Sequence, residues 1–234
     1  MKNEKFVIVT GATRGLGLGC VETLLKQGHR VLATGRDPQK IRQALPAELH
    51  EKLLVETLDV ASSASLDAFA SKLATLTQSV DVLINNAGIF VDDQAATAPL
   101  STSLEALERT LRTNLMGPYR LCQIVLPFLK RSGDARVVNV SSGLGQLSEM
   151  GRGTPAYRIS KTALNGLTAL LAAELKAEKI LVNSVCPGWV RTDMGGSSAP
   201  RELAQGVASI LWAAEIPSSG PSGGYFRDGK ALAW

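Results

Sequence analysis

Residues 6–17 read Phe6-Val7-Ile8-Val9-Thr10-Gly11-Ala12-Thr13-Arg14-Gly15-Leu16-Gly17, an apolar run that ends in a glycine-rich turn. A short, unbroken apolar stretch rich in β-branched residues predicts a strand covered on both faces, over Phe6–Thr10. A segment of helical period follows from Leu16 to Gln27. Glycines let a backbone bend sharply and approach a phosphate. A helix N-terminus adds free N–H groups and a partial positive charge. The spacing is G-x-x-x-G-x-G rather than the commoner G-x-G-x-x-G, although the physics is shared. Alone, such a turn also suits an ordinary loop. Its place directly after the first strand makes Gly11, Thr13, Arg14, Gly15, Leu16 and Gly17 candidate binders of a dinucleotide pyrophosphate.

The same grammar repeats along the chain. Further strands are expected at Arg30–Thr34, Leu53–Thr57, Val82–Asn85, Arg136–Val140 and Ile180–Cys186, with a weaker one at Gly224–Phe226. Helices are expected at Pro38–Leu45, Ser65–Thr75, Ser103–Lys130, Pro155–Glu178 and Pro200–Ala214. Regular strand–helix alternation implies right-handed crossovers. The expectation is an α/β chain of one domain over residues 1–234. Its fold would be doubly wound (Rossmann), a seven-stranded parallel sheet flanked by helices. Ligands of such sheets bind beyond the carboxyl ends of the strands, which directs attention to the residues after each strand.

Composition sets bounds on function. The chain is 45% hydrophobic and 20% charged, with a formal net charge of +4 and no run of like charges. Mild, dispersed basicity speaks against a nucleic-acid partner. The polar Met1–Lys5 stretch leads into too short an apolar run for a signal or membrane span. Cys20, Cys122 and Cys186 are odd in number and widely spaced, and His29 and His50 are the only histidines. Neither a disulfide framework nor a metal site is expected, and a reducing cytoplasm is the simplest location. The two histidines lie far from every candidate catalytic residue, which weakens any Ser-His-Asp proposal.

Cofactor choice is written at the end of the second strand. A carboxylate there would bind a ribose 2′-hydroxyl, whereas a 2′-phosphate calls for cations. Here Val31-Leu32-Ala33-Thr34 runs into Gly35-Arg36. Arg36 can form charge-assisted bonds to phosphate, with Arg14 clamping it from the other side. A solvated surface arginine is the alternative for Arg36. Asp37 is a competing carboxylate, but it precedes Pro38 and reads better as a helix N-cap with proline at the first helical position. NADPH/NADP+ is therefore expected over NADH.

Taken together these residues resemble the short-chain dehydrogenase/reductase family along essentially the whole chain. The resemblance rests on Thr10–Gly17, Leu58-Asp59-Val60, Asn85-Asn86-Ala87-Gly88 and Asn114. It continues with Val140-Ser141-Ser142, Tyr157-Arg158-Ile159-Ser160-Lys161 and Pro187-Gly188-Trp189-Val190-Arg191-Thr192, each in order. The segment Gly220–Phe226 and the closing Trp234 look most like the carbonyl reductase branch. The resemblance implies that Asp59 and Val60 flank the adenine and that Asn86, Ala87 and Gly88 line the cofactor groove. It places Val190 and Thr192 at the carboxamide and Lys161 at the nicotinamide ribose. Pro187-Gly188 is the turn that lets backbone pass close to the ring. Asn85 is expected to tie strands together.

The chemistry can also be argued from the residues. Tyr157 and Lys161 are four apart and share a helix face. A phenol of pKa about 10 is a poor acid–base catalyst at neutral pH. A cation ~5 Å away at an effective dielectric of ~20 contributes about 3 kcal/mol, roughly two pK units, bringing the phenol near 8. Such a group can protonate a carbonyl oxygen as hydride arrives. Ser142 follows a buried strand and can orient the carbonyl. Ser141 is its competitor on the opposite face, and the family pattern favours Ser142. Asn114 reads either as a cap or kink residue near Gly117-Pro118 or, by resemblance, as part of a helix distortion that holds a proton-relaying water.

The segment Asp193–Ala199, with two glycines and two serines, suggests a mobile flap over a tolerant pocket. Leu144, Leu147, Met150, Trp189 and Met194 would line that pocket or serve as ordinary core. The substrate expected is a small-molecule ketone or aldehyde. Apolar faces on the Pro155–Glu178 and Ser103–Lys130 helices imply, by resemblance, a homodimer or homotetramer. Three rival readings stand beside this one. The chain could be a cofactor sensor without turnover, which the intact Tyr157/Lys161 pair disfavours. It could be a cofactor-free, dehalogenase-like lyase, which the intact glycine loop and Lys161 disfavour. NAD-dependent alcohol oxidation is the third and turns on Arg36.

Overall fold

The computed structural model describes residues 4–92 and 102–234. Met1–Asn3 of the polar N-terminal stretch lie outside them. The strands are β1 (Phe6–Val9), β2 (Arg30–Gly35), β3 (Leu53–Thr57), β4 (Val82–Asn85), β5 (Arg136–Val140), β6 (Leu181–Val185), β7 (Tyr225–Arg227) and β8 (Lys230–Ala231). They form one sheet in the order β3-β2-β1-β4-β5-β6-β7-β8. Seven strands run parallel, and β8 is antiparallel to β7. The expected seven-stranded parallel sheet is therefore corrected to eight strands. The extra one returns through Asp228-Gly229, both at positive φ (52° and 75°), as a two-residue hairpin turn requires.

Among the described residues seven α-helices cover the sheet: α1 (Gly15–Lys26), α2 (Pro38–Ala44), α3 (Ser63–Leu76), α4 (Leu104–Leu111), α5 (Gly117–Ser132), α6 (Pro155–Glu174) and α7 (Leu203–Glu215). Side chains alternate along each strand. Phe6 and Ile8 join a core with residues of α3, α5 and α6, whereas Val7 and Val9 join a second core with α1, α2 and α7. Full burial of an Ile or Val side chain contributes about 1.5–3 kcal/mol, so both faces of the central strand favour the same register. Among the described residues no helix is long and apolar enough to cross a membrane.

Helix boundaries differ from expectation for local reasons. The expected helix Ser103–Lys130 is interrupted by a π-helical turn at Arg112–Met116, where the Gly117 N–H bonds the Arg112 carbonyl. Pro118 has no N–H to offer the carbonyl four residues back, that of Asn114, so the regular ladder cannot continue there. The expected helix Pro155–Glu178 ends at Glu174 and passes into a short 3-10 turn at Lys176–Glu178. The last helix starts at Leu203 rather than Pro200, because Glu202 and Gln205 form a capping box.

Strand β1 lies between β2 and β4, so the strand order reverses there. The loops after β1 and β4 leave the sheet on opposite sides and open a crevice at its carboxyl edge.

Candidate active site

That crevice is a cavity of about 940 Å³. Its floor is the glycine loop. Gly11 adopts φ +65°, and a Cβ there would sit 2.8 Å from the Ala87 Cα. A Cβ on Gly17 would sit 2.4 Å from the Gly11 carbonyl oxygen, so neither position has room for a side chain. The loop is pinned to the segment after β4. Asn86 Nδ2 donates to the Thr10 carbonyl (2.8 Å), and the Asn86 and Ala87 N–H groups both donate to Thr10 Oγ1 (3.0 Å each). Helix α1 opens beyond Arg14 with no side-chain cap, leaving its first-turn N–H groups facing the crevice. Thr13, Gly15 and Leu16 line the same floor.

At one end stand Arg36, Asp59 and Val60. Arg36 is exposed, and among the described residues no ion pair engages it. Asp37 precedes α2 with Pro38 at its first position, as expected, but its side chain makes no capping bond and pairs with Lys40 at 3.4 Å. Asp59 accepts the Ala61 N–H at 2.9 Å. Arg14 does not reach toward Arg36; it is ion-paired with Asp193 of the flap segment, linking the glycine loop to the residues after β6. On that wall Pro187, Gly188, Val190 and Thr192 line the cavity, and the Thr192 methyl lies 3.5 Å from where a Gly15 Cβ would be.

At the other end α6 delivers Tyr157 and Lys161. The Lys161 Nζ lies 5.7 Å from the centroid of the Tyr157 ring and donates to the Val140 carbonyl at 2.8 Å. Ser142 faces the Tyr157 phenol, while the Ser141 hydroxyl turns to the Lys161 carbonyl at 3.4 Å. Burial pushes the phenol up to about 12, against a hydrogen bond from Ser142 that pulls it down. Burial also lowers Lys161 to about 8. The phenol pKa near 8 expected from Coulomb attraction alone is thus corrected. Both groups are desolvated, and burial is the largest cause of both shifts.

Asn114 stands behind the cavity wall at Gly88, where a Cβ would sit 3.3 Å from Asn114 Oδ1 and 3.5 Å from Lys161 Nζ. Its amide makes three hydrogen bonds. Oδ1 accepts the Ile89 N–H (2.8 Å), and Nδ2 donates to the Ile89 carbonyl (2.9 Å) and Ser160 Oγ (3.0 Å). Asn85 bonds Asn139 across β4 and β5 at 2.8 Å. Sequence reasoning missed Phe90, whose ring centroid is 4.6 Å from that of Tyr157. It also missed Cys186 and Arg227, which share the cavity and are joined by a bond from Arg227 Nη2 to the Cys186 sulfur at 3.0 Å. No local pattern marks Phe90, because its pairing with Tyr157 arises only in the folded chain.

The short chain dehydrogenase family model matches residues 5–203. Carbonyl reductase [NADPH] 1 of Sus scrofa is 31% identical, over 99% of this chain and 95% of its own. The (+)-neomenthol dehydrogenase of Arabidopsis thaliana is 31% identical over 96% of each chain. Among solved structures, the NADPH-bound carbonyl reductase from chicken fatty liver superposes with a TM-score of 0.88 at 31% identity, covering 99% of this chain and 100% of that one. Carbonyl reductase Sniffer of D. melanogaster gives 0.87 at 30%, with the same coverage. A glycine turn at the strand-order reversal, a Tyr–Lys pair one helical turn apart and a family match over most of the sequence agree: the chain belongs to the short chain dehydrogenase family.

Proposed function

We propose that the protein reduces ketones or aldehydes to alcohols with NADPH. The observation that carries this reading is the convergence of Ser142, Tyr157 and Lys161 on the cavity that also holds the glycine loop. The residues fit the dinucleotide. Gly11 and Gly17 keep the backbone bare, the uncapped start of α1 suits a pyrophosphate, and Arg36, with no ion pair among the described residues, offers a cation for a 2′-phosphate. The NADPH-bound carbonyl reductase among its structural neighbours supports the same choice. When bound, the cofactor supplies a hydride to the carbonyl carbon.

The chain's own residues do the rest. Asp59, Val60, Asn86, Ala87 and Gly88 form the groove for the cofactor, with Pro187, Gly188, Val190 and Thr192 opposite. Ser142 donates a hydrogen bond to the carbonyl oxygen and sets its distance from Tyr157. The Tyr157 phenol, which keeps its proton throughout the neutral range, transfers it to that oxygen as negative charge develops there. Lys161, beside Asn114 at Gly88, returns a proton to the phenol. The carbonyl thus gains one hydride and one proton and leaves as an alcohol. Leu144, Trp189 and Met194, which line the cavity, favour an apolar carbonyl compound, whereas Leu147 and Met150 lie outside its lining. The intact tyrosine and lysine argue against a sensor without turnover.

The test is the loss of NADPH absorbance, and separately NADH absorbance, against a panel of ketones, aldehydes and diketones. Turnover with NADPH on at least one class is expected. Cofactor binding without oxidation by any of them contradicts the reading.

A further inference from the structure

Helix α6 begins without the usual cap. Its first residue, Pro155, carries no N–H. Thr154 before it adopts φ 49° and ψ 52°, a left-handed conformation uncommon for a β-branched residue, and its hydroxyl caps nothing. The Arg158 N–H already bonds the Thr154 carbonyl at 3.0 Å, so Ala156 and Tyr157 hold the remaining donors of the first turn. Both residues are buried. One carboxylate satisfies both donors: Asp92 Oδ1 accepts from Ala156 (3.0 Å) and Oδ2 from Tyr157 (2.8 Å). Asp92 is itself only 8% exposed and receives the Thr102 hydroxyl at 2.7 Å. The segment leading to it carries Phe90 against the Tyr157 ring and Ile89 on Asn114.

We propose that Asp92 is a positioning residue for the reduction: by capping α6 from a distant loop it fixes the Tyr157 backbone and thereby the phenol. This rests on the carbonyl-reductase reading. Two oxygens can accept two adjacent N–H groups, and their charge is favoured at a helix N-terminus. An asparagine would turn an NH2 toward one of those donors and satisfy only the other. Phe90 and Asp92 belong to one strand of chain, so losing the cap frees the ring contact as well. A displacement of 1 Å at a reacting group can cost on the order of 100-fold in rate.

The test measures the single-turnover rate with saturating NADPH and a diketone, the NADPH Kd and thermal unfolding in Asp92→Ala, Asp92→Asn and Thr102→Val. The expected result for Asp92→Ala is a rate roughly 10–100-fold lower, with Kd for NADPH within about twofold. Asp92→Asn and Thr102→Val should fall between it and the wild type. A folded Asp92→Ala protein turning over within about twofold of wild type overturns the proposal, as does a Kd that weakens in step with the rate. If Asp92→Ala does not fold, the other two variants decide: graded rate loss at constant Kd supports the proposal, and wild-type rates in both overturn it. If the wild type reduces no carbonyl, the functional reading fails by itself. Amide exchange at Tyr157 then decides the cap, with exchange at least about tenfold faster in Asp92→Asn expected and unchanged protection contradicting it.

Discussion

Lys161 Nζ approaches the Tyr157 ring centroid to 5.7 Å yet spends its hydrogen bond on the Val140 carbonyl, not on the phenol. The pair therefore divides its work. With Tyr157 raised to about 12 and Lys161 lowered to about 8, the lysine titrates first. Below pH 8 it is an ammonium and can resupply a proton; above, it is neutral. The kcat for reduction is expected to be level below about pH 7 and to fall through an apparent pKa near 8. Lys161→Arg should move that limb upward or remove it. A wild-type profile level to pH 10 contradicts the assignment. The sign for stability is opposite: between about 8 and 10.5 the unfolded chain retains a proton that folded Lys161 has lost, so this group's contribution rises with pH.

Arg36 sets cofactor preference in this account. Losing a charged hydrogen bond costs about 1.5–3 kcal/mol, or roughly 10–150-fold. Arg36→Ala should weaken NADPH by such a factor and leave NADH nearly unchanged, as read by kcat/KM for each. Equal effects on both cofactors would assign Arg36 to solvent.

Arg136 is buried at the start of β5. Its Nε and Nη2 donate to the Ile216 carbonyl at 2.9 and 2.6 Å, and its Nη1 meets Asp134 Oδ1 at 2.6 Å. Arg136→Met fills the space and orphans that carbonyl, so urea unfolding should show a loss of roughly 1–3 kcal/mol with little change in kcat per folded molecule. An unchanged midpoint would mean that the carbonyl finds another partner.

Met116 and Tyr119 of the π-turn and α5, and Ile159 and Leu170 of α6, are exposed apolar residues that fit burial against a second copy. Sedimentation is expected to give two or four times the 24.7 kDa chain mass, and Ile159→Glu with Leu170→Glu should reduce it toward one. A wild-type mass of one chain contradicts the oligomer.

The walls of the site were legible because each follows a strand whose apolar run stands out in the sequence. Gly11–Gly17 follow β1, Asn86–Gly88 follow β4, and Ser142 follows β5. The Asp228-Gly229 pair carries a turn signal that the sequence reading passed over, and the two-residue β8 beyond it carries too little pattern to be seen as a strand. What could not be read depends on approach across long separations. Asp92 reaches α6 from 64 residues away, and Arg14 finds Asp193 across 179. The phenol pKa was misjudged because spacing reveals a neighbouring charge but not the burial of both partners.

The most direct test of the central claim is single-turnover hydride transfer from NADPH in Tyr157→Phe, with NADPH binding measured on the same protein. Removing the only proton the phenol can give should lower the rate by roughly 100-fold or more while the Kd stays within about threefold. Near-full turnover in that variant would show that another group protonates the oxygen and would contradict the account.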